Sequence, residues 1–274
     1  MIHEPKRLKV KGPKEGYCAI CQQYCTLTYD HIPPKGCVTI NPIEIRTLAQ
    51  EFYGKETKPI ISQNGVKFRT LCEICNNKWL GLNYDLELKG FSDEVSLFLK
   101  AKVDAKLHFP PQQSFEIKTQ KIVRAVVGHS LAAFMPEDIS QPDLNTPFYD
   151  ALRSYFLDDT LPIPDKLKIF YWLFPIKTQI HIRGFGVSSF AWKGTIVGDL
   201  FKFFPLAYWL TWDIPKSTSI LQAQFGLKKD MSINDEETIS IDFQKIPRSN
   251  WPEAPGKNEF ILLNDQYSSF SKFK

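Results

Sequence analysis

The sequence predicts an α+β protein: a zinc-stabilised module followed by a mixed domain of helices and an antiparallel β-sheet. Three observations predict it. Two Cys-x-x-Cys pairs, Cys18/Cys21 and Cys72/Cys75, stand early in the chain, and four thiolates paired in this way suit tetrahedral zinc. Between about 92 and 157 apolar residues recur at helical spacing. Between about 166 and 243 runs rich in β-branched and aromatic residues alternate with turn signals at short intervals, which favours antiparallel pairing. The expected division is a module over 1–90 and an α+β domain without a legible motif over 91–274.

The elements follow in order. Tyr17 to Thr28 reads as a zinc turn and a strand, and Pro33-Pro34 forbids a regular ladder beyond it. Pro42 to Phe52 reads as a short helix in a long connection, with an insertion around Asn41 to Lys58. Asn64-Gly65 is a hairpin turn signal, and Val66 to Leu71 a strand running into Cys72. A helix is expected to start at Asn76-Asn77, and another to be capped by Ser92. Lys121 to Phe134 is a strong helix ended by Pro136, and Thr146-Pro147 opens the next. Strands are expected at Leu167–Phe174, Gln179–Val187, Ala207–Ile214, Ser219–Phe225 and Thr238–Phe243, with 245–274 irregular.

Composition bounds the function. The chain has 274 residues, 43% of them apolar, so it can bury a core and is not a disordered polymer. Lys and Arg total 34 against 30 acidic residues, a net +4 that permits an anionic partner without demanding one. The opening segment is more biased: Lys6, Arg7, Lys9, Lys11 and Lys14 face only Glu4 and Glu15, which suits either a phosphate-touching arm or a solvated terminus. Met1 to Gly12 has no apolar core of a signal, and Leu200 to Trp212 is short and broken by Lys202 and Pro205. A soluble cytoplasmic protein with no membrane partner is expected, in which paired cysteines read as metal ligands.

The order C-A-I-C, T-Y-D-H-I-P-P-K-G, L-C-E-I-C-N-N-K over about residues 17 to 88 resembles the HNH, or ββα-metal, endonuclease superfamily, in its bacterial branch with D-H-x-P-P-K and C-x-x-C-N-N motifs. The resemblance implies a zinc-stabilised ββα-metal nuclease module. In it His31 is the general base, and Asp30 binds a catalytic Mg²⁺ or Mn²⁺ together with the amide oxygen of Asn76 or Asn77. Lys35 and Lys78 touch flanking phosphates. The substrate implied is nucleic acid, DNA first. Bacterial proteins of this type often act in anti-phage defence or in mobile elements, sometimes with a protein partner, and a protein partner or a homo-oligomer is open here. The middle asparagine of the family name has no clear counterpart, because Lys67 stands five residues before Cys72 and Asn64 is out of register.

The residues independently support part of this. Phosphodiester hydrolysis needs a base, an electrophilic metal and cationic neighbours, and all three kinds of group cluster near the cysteines. Consecutive strand residues point to opposite faces, so Asp30 and His31 reach one site only where the strand ends or twists. The competing readings are a non-catalytic zinc-containing nucleic-acid or protein-binding module, and an RNA-directed nuclease. Cys25 and Cys37 read as small core residues. Asp85 and Glu87 read as a solvated helix face before carboxylates that support the site from behind, His129 as a packed or hydrogen-bonded core residue, His181 as an outward strand residue and His108 as a loop residue. Trp172, Trp192, Trp209 and Trp212 read as core.

Overall fold

A computed structural model describes residues 12–52, 59–134, 142, 145–190, 194–216, 218, 220, 222–226, 231–254, 256–263 and 268–273. Most of the basic opening arm and Trp192 lie outside the described residues; Lys14 is exposed. The first unit is a three-stranded antiparallel sheet of β1 (Glu15–Tyr17), β2 (Tyr24–His31) and β5 (Lys67–Cys72), with β2 in the middle. β2 and β5 pair Leu27 with Cys72 and His31 with Lys67, with an irregularity at Thr28/Tyr29. Straight after Cys72 the chain winds into a π-helical segment, Ile74–Tyr84, that continues as α2 (Asp85–Asp104). The helix therefore starts within the second cysteine pair, not after it. Ser92 lies mid-helix, where its hydroxyl donates to the Leu88 carbonyl at 2.8 Å instead of capping a terminus. Position 90, the expected domain junction, is inside this continuous helix.

The connection from β2 to β5 carries β3 (Ile43–Arg46), α1 (Leu48–Phe52) and β4 (Ile60–Ser62). The expected helix over 42–52 is thus a strand plus one short turn of helix. The second half of the chain supplies β7 (Leu167–Leu173), β8 (Gln179–Ser189), β9 (Gly194–Phe203), β10 (Leu206–Trp212), β11 (Ala223–Gln224), β13 (Glu259–Leu262) and β14 (Ser268–Phe273). These strands form a nine-stranded sheet with β3 and β4, in the order β11-β7-β10-β9-β8-β14-β3-β4, with β13 also on β8. β3 and β4 pair with each other and enter the sheet through β14. Neighbouring strands run antiparallel, as expected. Sequence reading missed β9, and 245–274 holds β13 and β14, so it is not irregular throughout. β6 (Gln112–Ile117) and β12 (Glu237–Asp242) form a separate ribbon.

The large sheet is covered on both faces. On one face Ile169, Tyr171, Phe201, Tyr208 and Leu210 pack toward α3 (Thr119–Ala132) and α4 (Pro147–Leu157). On the other, Phe170, Trp172, Ile182, Leu200 and Trp209 form a second core. The period-two alternation of a strand sends neighbours to opposite faces, and here both faces are apolar. This is why Leu167–Leu173 is a near-continuous apolar run. It also corrects the expectation for His181: the position alternates as supposed, but the face it turns to is covered, and the ring sits buried against Phe201 at 5.7 Å. Trp172 and Trp209 are core as expected, while Trp212 is half-buried.

α4 starts as its residues dictate, with Thr146 Oγ1 accepting from the Tyr149 amide at 3.3 Å and Pro147 in the first turn. α3 is buried on every side except at Lys121. Gly128 makes this possible: a Cβ there would lie 2.5 Å from both Leu80 and Phe156. Beneath α3, Asp199 of β9 is fully buried and accepts from Ser130 at 2.6 Å, Tyr149 at 2.9 Å and the Gly184 amide at 2.7 Å. Gly184 takes φ +60 in a register shift of β8, a conformation that costs a glycine little.

On the far face the Lys202 ammonium is wholly buried and donates to Glu253 at 2.6 Å, to the Ser249 carbonyl at 2.6 Å and to the Trp251 carbonyl at 3.2 Å. It clamps the 249–253 segment onto the sheet, where Trp251 meets Trp172 at 5.1 Å and Trp209 at 5.4 Å. Removing one partner of a buried ion pair strands the other charge. Glu253→Ala is therefore expected to lose about 3–5 kcal/mol of stability, measured as a shift in the urea unfolding midpoint.

Candidate functional site

The site is built on the first sheet and the helix that leaves it. Cys18 and Cys21 bracket a tight turn in which Gln22 takes φ 57, its amide donating to the Cys18 carbonyl at 2.9 Å. The Ala19 amide donates to the Thr70 carbonyl at 2.8 Å, docking the turn on β5. Cys72 ends β5, Cys75 lies in the first turn of the π-helical segment, and the Cys75 amide donates to Cys72 Sγ at 3.4 Å. The four sulfurs lie within 4.8 Å of one another, with Cys21 and Cys72 at 3.9 Å. A zinc ion with bonds of about 2.3 Å at tetrahedral angles sets its sulfurs about 3.8 Å apart, so this cluster fits a structural metal such as zinc. All six cysteines are free thiols, so no disulfide competes. Mutual hydrogen bonds hold Cys72 far below the ordinary thiol range and Cys18 and Cys75 far above it, with Cys21 lowered to about 7. A bound dication takes such sulfurs as thiolates and releases their protons. Cys25 and Cys37 are half-buried against the core and stand outside the cluster.

Asp30 and His31 are the last two residues of β2, and they leave it on opposite faces. Asp30 is buried and points into the helical layer, where its Oδ2 lies 2.8 Å from His129 Nδ1. The other ring nitrogen, His129 Nε2, lies 2.8 Å from Asp85 Oδ1. Two carboxylates facing two ring nitrogens are both satisfied only by an imidazolium, which has two N–H donors. Burial opposes charge on this fully buried ring, but Asp30 and Asp85 outweigh it and raise its pKa to about 10. His129 is thus the hydrogen-bonded core residue expected, with an unexpected partner. Asp85 corrects the reading as a solvated helix face, because it is held in the His129 pair. Glu87 is half-buried and pairs with Lys118 at 3.1 Å.

His31 is half-buried and faces the Asn64-Gly65 turn, with the Asn64 carbonyl near its ring. Burial lowers its pKa below the ordinary value, and nearby Lys67 and Lys35 add to the lowering, while Asp30 and the Asn64 carbonyl oppose it. The imidazole is therefore neutral near pH 7. Beside it on β5, Lys67 and Arg69 lie over the Tyr29 ring at 5.0 and 4.2 Å. Lys35 and Lys78 are exposed.

The two asparagines part company. Asn77 is exposed, whereas Asn76 is buried and its amide nitrogen donates to Thr28 Oγ1 and to the Tyr29 carbonyl, each at 2.9 Å. Those bonds fix Asn76 against β2 one residue from Asp30 and use only its nitrogen. The Asp30–His129 bond likewise uses one carboxylate oxygen. Among the described residues, the second carboxylate oxygen of Asp30 and the amide oxygen of Asn76 have no hydrogen bond to the protein. The sequence did not reveal that His129 and Asp85 meet Asp30, nor that Lys67, Arg69 and the Asn64 carbonyl surround His31. The one available signal was a polar imidazole inside an otherwise apolar helix, because burying it requires partners.

Purified protein is expected to hold one zinc per chain by elemental analysis. Cys75→Ala is expected to release it and to lower the melting temperature; zinc retained at full stoichiometry in that variant would contradict the four-sulfur site. Comparison with family models, curated proteins and solved structures found no match for this chain, so its functional reading rests on these residues and their geometry.

Proposed function

We propose that the chain is a metal-dependent endonuclease of HNH type that hydrolyses DNA phosphodiester bonds. In this reading β2, β5 and the following helix form a ββα-metal module around a structural zinc. The observation that carries the proposal is His31: a half-buried imidazole at the end of a strand, beside the Asn64-Gly65 turn and Lys67 of β5, and directly following a carboxylate. A base with its proton-accepting form populated near neutral pH is what activation of water requires. In this reading the Asn64 carbonyl is the candidate group for orienting the His31 ring.

In this reading the roles are as follows. His31 takes the proton of the attacking water. Asp30 and Asn76 hold the catalytic ion, with Asn76 preferred over exposed Asn77 because its side chain is fixed beside Asp30. A bound Mg²⁺ or Mn²⁺ would neutralise the scissile phosphate and stabilise the leaving 3′-oxygen. Lys35, Lys67, Arg69 and Lys78 position the phosphodiester backbone by charge, without reading sequence. One observation favours a second reading, a non-catalytic zinc-containing binding module: Asp30 and Asn76 already have partners within the protein.

Two measurements test the proposal. With Mg²⁺ or Mn²⁺ present, the wild type is expected to nick or cut plasmid DNA, and His31→Ala to lower the rate by about 10²–10⁴ while melting within a few degrees of wild type. Equal cleavage by both proteins would sink the role of His31, and no cleavage of DNA or RNA by the wild type would favour the binding module. Lys67→Glu is expected to weaken DNA binding and flatten its salt dependence, read by fluorescence anisotropy across a salt series.

A further inference from the structure

Resting on the proposed role of Asp30 as an ion ligand, we infer that His129 is a positioning residue for that ligand and that Asp85 is its anchor. The juxtaposition is long-range: 99 residues separate His129 from Asp30, and 44 separate it from Asp85. The ring bridges the two carboxylates end to end, one oxygen of each at 2.8 Å from a ring nitrogen. A carboxylate on a strand terminus has free rotation about its last bond unless something holds one oxygen. His129 holds Oδ2 and leaves the other oxygen for a ligand.

The support behind the ring is rigid. His129 has no exposed side-chain surface, and Phe201 of the large sheet packs beside it at 6.3 Å. The neighbouring Gly128 lets Leu80 and Phe156 close on α3, and Thr70 of β5 donates to the Ala132 carbonyl at 2.6 Å. The next residue, Ser130, is bonded to Asp199 beneath the helix. Two successive residues of α3 thus grip the candidate site on one side and the large sheet on the other. A helix from beyond the cysteine-bearing unit thereby supplies the residue that aims Asp30. Groups that orient a ligating carboxylate typically matter about 10–100-fold in metal affinity.

The isosteres separate the two ring nitrogens. In His129→Asn the amide nitrogen replaces Nδ1 and keeps the bond to Asp30. In His129→Gln it replaces Nε2 and keeps the bond to Asp85 alone. Mn²⁺ affinity of the zinc-loaded, full-length protein is read by isothermal titration, beside DNA cleavage and melting temperature. His129→Asn, which keeps the Asp30 bond and loses the anchor, is expected to bind Mn²⁺ severalfold weaker than wild type, and His129→Gln, which loses the Asp30 bond itself, at least about tenfold weaker than His129→Asn. A merely structural histidine would lower both variants alike, and that result overturns the inference, as does unchanged affinity in folded His129→Gln. Should His129→Gln fail to fold, Asp85→Ala at the half-exposed end of the bridge decides: severalfold weaker Mn²⁺ binding supports the anchor, and unchanged binding refutes it. Wild type that takes up no Mn²⁺ refutes Asp30 as a ligand and this inference with it, whereas wild type that binds and cleaves beside an unaffected His129→Gln refutes the inference alone.

Discussion

The constraint on which the candidate site depends is the convergence of four sulfurs at the point where β1, β2, β5 and the long helix meet. A sheet of three short strands buries little apolar surface by itself. Cys18 and Cys21 come from a turn before β2, and Cys72 and Cys75 from the junction of β5 and the helix. A dication shared among them would tie the helix to the strands at a set angle. That angle places Asn76 against Thr28 and Tyr29, and Asp85 one ring-width from Asp30.

A second constraint comes from the large sheet. Cores on both of its faces bury much of its area, and the charged groups Asp199 and Lys202 that fall on its strands find partners inside. Asp199 is met by Ser130, Tyr149 and Gly184, and Lys202 by Glu253 and two carbonyls. Burial raises the pKa of Asp199 against the nearby Arg183 charge and these hydrogen bonds, so each bond it accepts opposes the cost of keeping a carboxyl out of water. The same logic governs His129, whose buried ring is matched by a carboxylate at each nitrogen. Buried polar groups of this kind specify one arrangement of elements, because any shift leaves a donor or acceptor unpaired.

How much was legible divides along sequence distance. Thr146-Pro147, the Lys121–Phe134 periodicity and the strands at 167, 179 and 207 were readable because capping chemistry and apolar period act within a few residues. Ser92 was misread because a serine before an apolar run looks like a cap whether or not helix already precedes it. His181 was misread because alternation reports which residues share a face, not whether that face is covered. β14 was missed because its residues, Ser268 to Phe273, alternate weakly and gain their place only by lying between β8 and β3.

The sequence alone determined the α+β class, the antiparallel character of the sheet, the four cysteines as one cluster and the adjacency of Asp30 and His31 in a strand that stops before the prolines. Those properties are written in spacing and residue type, which the chain carries before it folds. Only the tertiary structure decided that Asp30 turns to His129, that Asp85 closes the far side of that ring, that the Asn64 carbonyl meets His31, and that Asn76 rather than Asn77 lies on β2. These are choices among partners remote in sequence, and they are made by which faces become buried together. Local pattern cannot encode them, because the desolvation that makes each pairing necessary exists only once the helices and the large sheet have closed around it.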